Sequence, residues 1–126
     1  MVSVVQNVAV DCVDAYALAQ FWSEVTGGSV GSDTWPGDRE TLVALPTGLT
    51  LYFNAVPEPK RGKNRVHICL RPETSRDAEV ERLLGIGASL VADRRNADGT
   101  GWAVLADPEG NEFCVLRSES DRAHSG

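Results

Sequence analysis

Cysteine is scarce in this sequence, and its three copies, Cys12, Cys69 and Cys114, are odd in number, far apart and without a CxxC pair. That argues against a disulfide framework and predicts buried, reduced thiols of the cytosolic kind. Basic charge is also short: 12 Lys and Arg stand against 18 Asp and Glu, a formal net charge of -6. A surface of that sign offers no field for phosphate contacts, so nucleic acid is excluded as the expected partner, and the charge serves solubility. No apolar stretch reaches the length of a membrane span. Met1-Val2-Ser3 runs into mixed polar residues rather than the charged and apolar regions of a signal peptide. The expectation is a soluble cytoplasmic protein with no membrane partner.

What is present suffices for one domain: 126 residues, 42% of them hydrophobic. Valine-rich Val4 to Asp11 predicts a strand. Asp14 then stands as a helix cap, Leu18, Phe21, Trp22 and Val25 form one apolar stripe at i, i+3, i+4 and i+7, and Gly27-Gly28 closes the helix. Three strands follow, at Ser29 to Trp35, Thr41 to Leu45 and Leu49 to Val56, separated by Trp35-Pro36-Gly37-Asp38 and Pro46-Thr47-Gly48. The charged, proline-rich segment 57–64 reads as an extended connector.

Beyond the connector the order repeats. A strand at Arg65 to Leu70 leads to a helix from about Ser75 to Gly87, with Val80, Leu83 and Leu84 on one face. Strands follow near Leu90 to Arg94, Trp102 to Ala106 and Glu112 to Arg117, the first two joined by the turn Asn96-Ala97-Asp98-Gly99. With an offset near sixty residues, Asn7 falls on His67, Phe21 on Val80, Gly28 on Gly87, and Pro46-x-Gly48 on Pro108-x-Gly110. Such an echo in both turns and order is what duplication leaves. The expected fold is α+β, two βαβββ modules (2–56 and 65–117) whose curved mixed sheets surround a central cavity, the natural place for a ligand. Residues 118–126 are polar and aperiodic and are expected to be a flexible tail.

Asn7-Val8-Ala9-Val10-Asp11, the Phe21-Trp22 helix ending in glycine, Asn64-Arg65-Val66-His67-Ile68 and Asp107-Pro108-Glu109-Gly110-Asn111-Glu112-Phe113 resemble the vicinal oxygen chelate (glyoxalase/bleomycin-resistance/dioxygenase) superfamily. The resemblance spans almost the whole chain. It implies an inner face that often binds a divalent metal through the first and last strand of each half, where His, Gln or Glu is usual. Those positions fall here on Asn7, Tyr52, His67 and Cys114. Asn7 is a weak neutral ligand, Tyr52 ionises only near ~10, and Cys114 is soft, a poor set for magnesium, manganese, iron or nickel. Zinc suits His67 and Cys114, but a third ligand would have to come from Cys69 or Glu112. The expectation is therefore no cofactor, with a divalent metal the disfavoured alternative.

His67 is either a general base or hydrogen-bond donor to a ligand, or a histidine satisfied by nearby backbone. Cys114 is either a thiol activated by His67 or, the simpler reading, a buried core residue. Glu112 shares the parity of Cys114, so it faces inward as an acid-base partner of His67 or sits exposed at a strand end. Trp35, Tyr52, Phe53 and Trp102 are candidates for stacking on a planar ligand, although alternation puts Tyr52 and Asn54 on one face and Leu51 and Phe53 on the other. Trp22 belongs to the core. Asp107 and Asn111 hold their turn. Lys60, Arg61 and Lys63 read as a solvated linker, Arg65 as half buried in a salt bridge.

Two functions are compatible with this pattern. One is a metal-independent binding protein that sequesters a planar small molecule such as an antibiotic or other secondary metabolite through Asn7, Tyr52, His67, Trp102 and Cys114. The resemblance supports it, because bleomycin-resistance members bind drugs without metal and act as homodimers. The other is a lyase, isomerase or epimerase of glyoxalase type with His67 and Glu112 as catalytic acid and base. Fold alone does not separate binding from catalysis.

Overall fold

A computed structural model describes residues 1–125. The chain divides into two compact units, Met1–Lys60 and Arg61 onward, and the division falls inside the expected connector. Each unit contains one strand-helix-three-strand module, so the α+β class and the two βαβββ modules are both present. No helix among the described residues is long and apolar enough to cross a membrane.

In the first unit β1 (Asn7–Cys12) leads to α1 (Ala15–Thr26), then β2 (Ser29–Val30), β3 (Glu40–Ala44) and β4 (Thr50–Ala55). The sheet order is β1-β4-β3-β2, with β1 parallel to β4 and the other pairs antiparallel. Asp14 accepts the Ala17 N–H at 3.1 Å and starts α1, while Gly27 at φ 74° ends it by donating its N–H to the Ser23 carbonyl. Leu18, Phe21, Trp22 and Val25 are buried, as their spacing predicts, with the Phe21 and Trp22 rings edge to face at 5.5 Å. Gly28 is required by close approach, since a Cβ there would lie 2.7 Å from the Ala44 carbonyl oxygen.

Two strand ends differ from expectation. β1 starts at Asn7 rather than Val4 because its ladder partner β4 starts at Thr50, directly opposite Asn7, and Val4 and Val5 stay exposed. β2 stops at Val30 rather than Trp35 because the chain turns: the Trp35 N–H donates to Asp38 Oδ2 and the Asp38 N–H returns to the Trp35 carbonyl.

In the second unit β5 (Ile68–Leu70) leads to α2 (Arg76–Gly85), then β6 (Ser89–Arg95), β7 (Gly101–Ala106) and β8 (Glu112–Val115). The order is β5-β8-β7-β6, again with the first pair parallel. Ser75 caps α2 by accepting the Ala78 N–H at 3.1 Å. The helix ends at Gly85, short of the expected Gly87, because the Ile86 and Ala88 N–H groups both turn back to the Leu83 carbonyl. Val80 and Leu83 of α2 and Ala103, Leu105, Phe113 and Val115 of the sheet are essentially fully buried. Each of the larger ones contributes about 1.5–3 kcal/mol by burial.

The first residue of α2 clamps the β6–β7 hairpin. Arg76 is buried, and its Nη1 donates to the carbonyls of Gly99, Thr100 and Gly101 at 3.2, 2.9 and 3.2 Å while Nε bonds Asp77. These bonds satisfy a charge that would otherwise be costly to bury. Gly101, at φ 91°, lies so close to the Arg94 carbonyl that no side chain fits there.

The expected tail at 118–126 is instead α3 (Glu119–Ser125), and Gly126 lies outside the described residues. Ser118 Oγ accepts the Asp121 N–H at 2.9 Å and Asp121 Oδ2 accepts the Ser118 N–H at 2.9 Å, a reciprocal cap. Ser118-x-x-Asp121 was the sequence signal for it.

The repeated Pro-x-Gly turn keeps the same bonds in both copies. Leu45 and Leu49 pair N–H to carbonyl at 2.9 Å with Gly48 bonded back to Leu45, and Asp107, Asn111 and Gly110 do the same. In the second copy Asp107 is buried and also accepts the N–H groups of Glu109 and Asn111 at 2.9 and 3.0 Å, the structural work expected of it.

Candidate functional site

Alternation divides the second sheet into two faces. Ala103, Leu105, Phe113 and Val115 are register partners on the core side. Trp102, Val104, Cys114 and Glu112 fall on the other, where β6 adds Ala92 and Arg94 opposite Val104 and Trp102, and β5 adds Cys69 opposite Cys114. This second face is half open: Trp102 retains 44% of its surface, and Cys69, expected to be buried, is exposed.

A polar cluster stands at the end of that face. Lys63 Nζ is 3.2 Å from Glu112 Oε2 and 3.2 Å from His67 Nε2, and Glu112 Oε1 accepts the Asn64 N–H at 3.1 Å. His67 Nε2 is also 3.2 Å from the Asn64 carbonyl oxygen, so the ring either accepts from Lys63 or donates to Asn64. The expected strand from Arg65 begins only at Ile68, because Glu112 draws Lys63 and Asn64 over the strand end and Arg65 and Val66 form a bend. His67, expected to point into a cavity, is exposed, and so is Arg65, expected to be half buried. Lys63, read as solvated linker, is instead the residue that joins His67 to Glu112; its contact with Glu112 crosses 49 residues, and no local spacing announces it.

Cys114 is buried, and burial first, then the neighbouring Cys69 thiol, pushes its own thiol up from the ordinary value, against the opposing pull of Lys63. A thiol raised in this way is not one activated by His67.

In the first unit, Asn7 and Tyr52 lie on one face of their sheet, Asn7 opposite Thr50 and Tyr52 opposite Ala9. Leu51 and Phe53 turn to the buried side, so Phe53 is core and lines nothing. The Tyr52 hydroxyl donates to Glu40 Oε2 at 3.0 Å, and that bond to a carboxylate raises the phenol above its ordinary value. Glu40 was not foreseen; it lies on the adjacent strand, two residues before Leu42, the register partner of Tyr52. Trp35 is exposed in the loop after β2.

Of the expected site residues, the second unit thus gathers His67, Glu112, Cys114 and Trp102 on or beside one sheet face, while Asn7 and Tyr52 belong to the first unit. A match to the glyoxalase-like domain model extends over residues 7–116, both modules complete. The chain belongs to the glyoxalase-like domain family. Solved structures at low sequence identity share the fold of this glyoxalase-like chain. The genomically encoded fosfomycin resistance protein FosX from Listeria monocytogenes, in a mutant form complexed with Mn(II) and 1S,2S-dihydroxypropylphosphonic acid, matches with TM-score 0.71 at 16% identity, over 97% of this chain and 96% of that one. A glyoxalase/bleomycin resistance protein/dioxygenase family enzyme from Burkholderia phytofirmans matches with TM-score 0.65 at 20% identity, over 87% and 94%. The hypothetical protein SA1046 from S. aureus matches with TM-score 0.66 at 19% identity, over 93% and 98%. No curated protein matches the sequence.

The divalent metal that the resemblance implies does not suit these donors. Asn7 offers only a neutral amide, the Tyr52 phenol is held protonated by Glu40, and the Cys114 thiol is raised by burial. Among the described residues no three His, Cys, Asp or Glu side chains form a group that could hold a metal ion, so the zinc set of His67 and Cys114 with Cys69 or Glu112 is not assembled.

Proposed function

We infer that this glyoxalase-like protein binds a planar aromatic or secondary-metabolite ligand without a metal and sequesters it, with Trp102 and the apolar Val104 as the stacking surface. The observation that carries this reading is the commitment of Glu112: its two oxygens accept from Lys63 Nζ and the Asn64 N–H at 3.2 and 3.1 Å. A carboxylate held by two donors serves to fix the edge of a binding face; a general base needs an oxygen turned toward substrate. The half-exposed indole on that face supplies flat area for a ring. His67 and Cys114 contribute polar and soft contacts at positions where metal ligands are usual. The reading includes a cytoplasmic homodimer, following the bleomycin-resistance members that the chain resembles.

One observation favours a second reading, a lyase or isomerase of glyoxalase type. Lys63 Nζ is equidistant from His67 Nε2 and Glu112 Oε2, so one ammonium couples an imidazole to a carboxylate. A single experiment separates the two. Tryptophan fluorescence of the protein is titrated with a panel of planar aromatic antibiotics, and each bound compound is recovered for mass spectrometry. Sequestration predicts saturable quenching that is lost in Trp102→Ala, with the compound recovered unchanged. A chemically altered compound, formed by the wild type and not by His67→Ala, would establish the enzyme instead.

A further inference from the structure

Two of the three cysteines, 45 residues apart in sequence, are direct register partners on neighbouring parallel strands: Cys69 of β5 and Cys114 of β8. Neighbouring strands lie about 4.8 Å apart. A disulfide needs a Cα separation of roughly 4.4–6.8 Å. Register partners also project from the same side of a sheet, so the two side chains face the same side of the β5–β8 pair. Their environments differ in a useful way: Cys69 is exposed and Cys114 is buried. The third cysteine belongs to the other unit, where Cys12 Sγ donates to the Asn54 carbonyl at 3.4 Å. Within its sheet β5 is a three-residue edge strand paired to β8.

We propose that Cys69 and Cys114 form a thiol-disulfide exchange site that takes a low-molecular-weight disulfide as its oxidant. The Cys69 thiolate, having lost its proton to solvent, attacks one sulfur of the disulfide RSSR. The S–S bond breaks, one RSH leaves after taking up a proton, and a mixed disulfide remains on Cys69. Cys114 then attacks Cys69 Sγ, gives up its proton, forms the Cys69–Cys114 bond and releases the second RSH. The protein loses two electrons and two protons, and RSSR takes up both to become two RSH. Exposure makes Cys69 the attacking residue, and burial makes Cys114 the resolving one. The product would staple β5 to β8 on the face that carries Trp102 and Glu112. This site stands on the strand register and does not depend on the ligand reading above.

The test uses the full chain with oxidised glutathione as probe, followed by denaturing alkylation and peptide mass mapping. The expected result is loss of two hydrogens, protection of two thiols, a cross-linked peptide pair containing Cys69 and Cys114, and reversal by dithiothreitol. In Cys114→Ser the glutathione adduct is expected to persist on Cys69; in Cys12→Ser the cross-link is unchanged. An unreacted wild type, a cross-link through Cys12, or a wild type that stops at the Cys69 adduct with Cys114 still alkylated would overturn the proposal. The wild-type mapping decides the matter even if a variant fails to fold.

Discussion

The Lys63 ammonium lies 3.2 Å from the Glu112 carboxylate, joining the end of the connector to the first residue of β8. The carboxylate is nearly covered at 13% side-chain exposure while the ammonium keeps 66%, so solvent screens the pair from one side only. Lys63→Ala should lower stability by about 0.5–1 kcal/mol. Urea melts at low and high salt check this, and the deficit should shrink as salt rises.

Asp121 joins α3 to α2, its Oδ2 accepting the Arg76 N–H at 2.7 Å and the Ser118 N–H at 2.9 Å. Asp121→Ala removes the cap and should cost about 1 kcal/mol at neutral pH. Those backbone donors, Ser118 first, hold the Asp121 carboxyl below its ordinary 3.8. A carboxylate depressed in the folded state contributes fully above its unfolded value and loses that contribution as pH falls through the folded one. The gap between wild type and Asp121→Ala should therefore close below about pH 3.8, as acid titrations followed by circular dichroism would record.

Asp93 gives a second acid-side signature. Its bonds to the Arg95 side chain, then to the Arg95 N–H, bring its carboxyl down to about 2. By the same sign, Asp93→Asn should leave stability flatter than wild type between pH 3.8 and about 2 and close to parallel above it. Chemical-shift titration of the Asp93 carboxyl measures the value directly.

The two faces of the second sheet should respond oppositely to truncation. Phe113 is 1% exposed on the core side, and Phe113→Ala should cost about 3–5 kcal/mol. Trp102 is 44% exposed on the other side, and Trp102→Ala should change stability by no more than about 0.5 kcal/mol while removing ligand-induced quenching. Denaturant midpoints and fluorescence titrations on both variants separate core from binding face.

Local signals carried most of the fold. Asp14, Gly27 and Ser75 act within a turn of where they stand, and the α1 stripe and the Pro-x-Gly turns repeat at fixed spacing, so these elements were readable. Strand ends were less so, because they depend on where the partner strand stops, as Val4 and Val5 show. The α3 cap was readable from Ser118 and Asp121, but polar composition outweighed it. In the candidate site, parity put Glu112 and Cys114 on one face, and the register adds Trp102 to it. The contact of Lys63 with Glu112 and the register of Cys69 with Cys114 were out of reach, because each joins segments far apart in sequence through the pairing of β5 with β8.

The central claim, ligand binding without a metal, is tested most directly by elemental analysis of the purified wild type and of His67→Ala, paired with ligand titrations before and after treatment with EDTA. The account predicts no stoichiometric metal in either protein and a titration curve that EDTA leaves unchanged. One equivalent of a divalent metal in the wild type, lost in His67→Ala and required for the quenching, would contradict it.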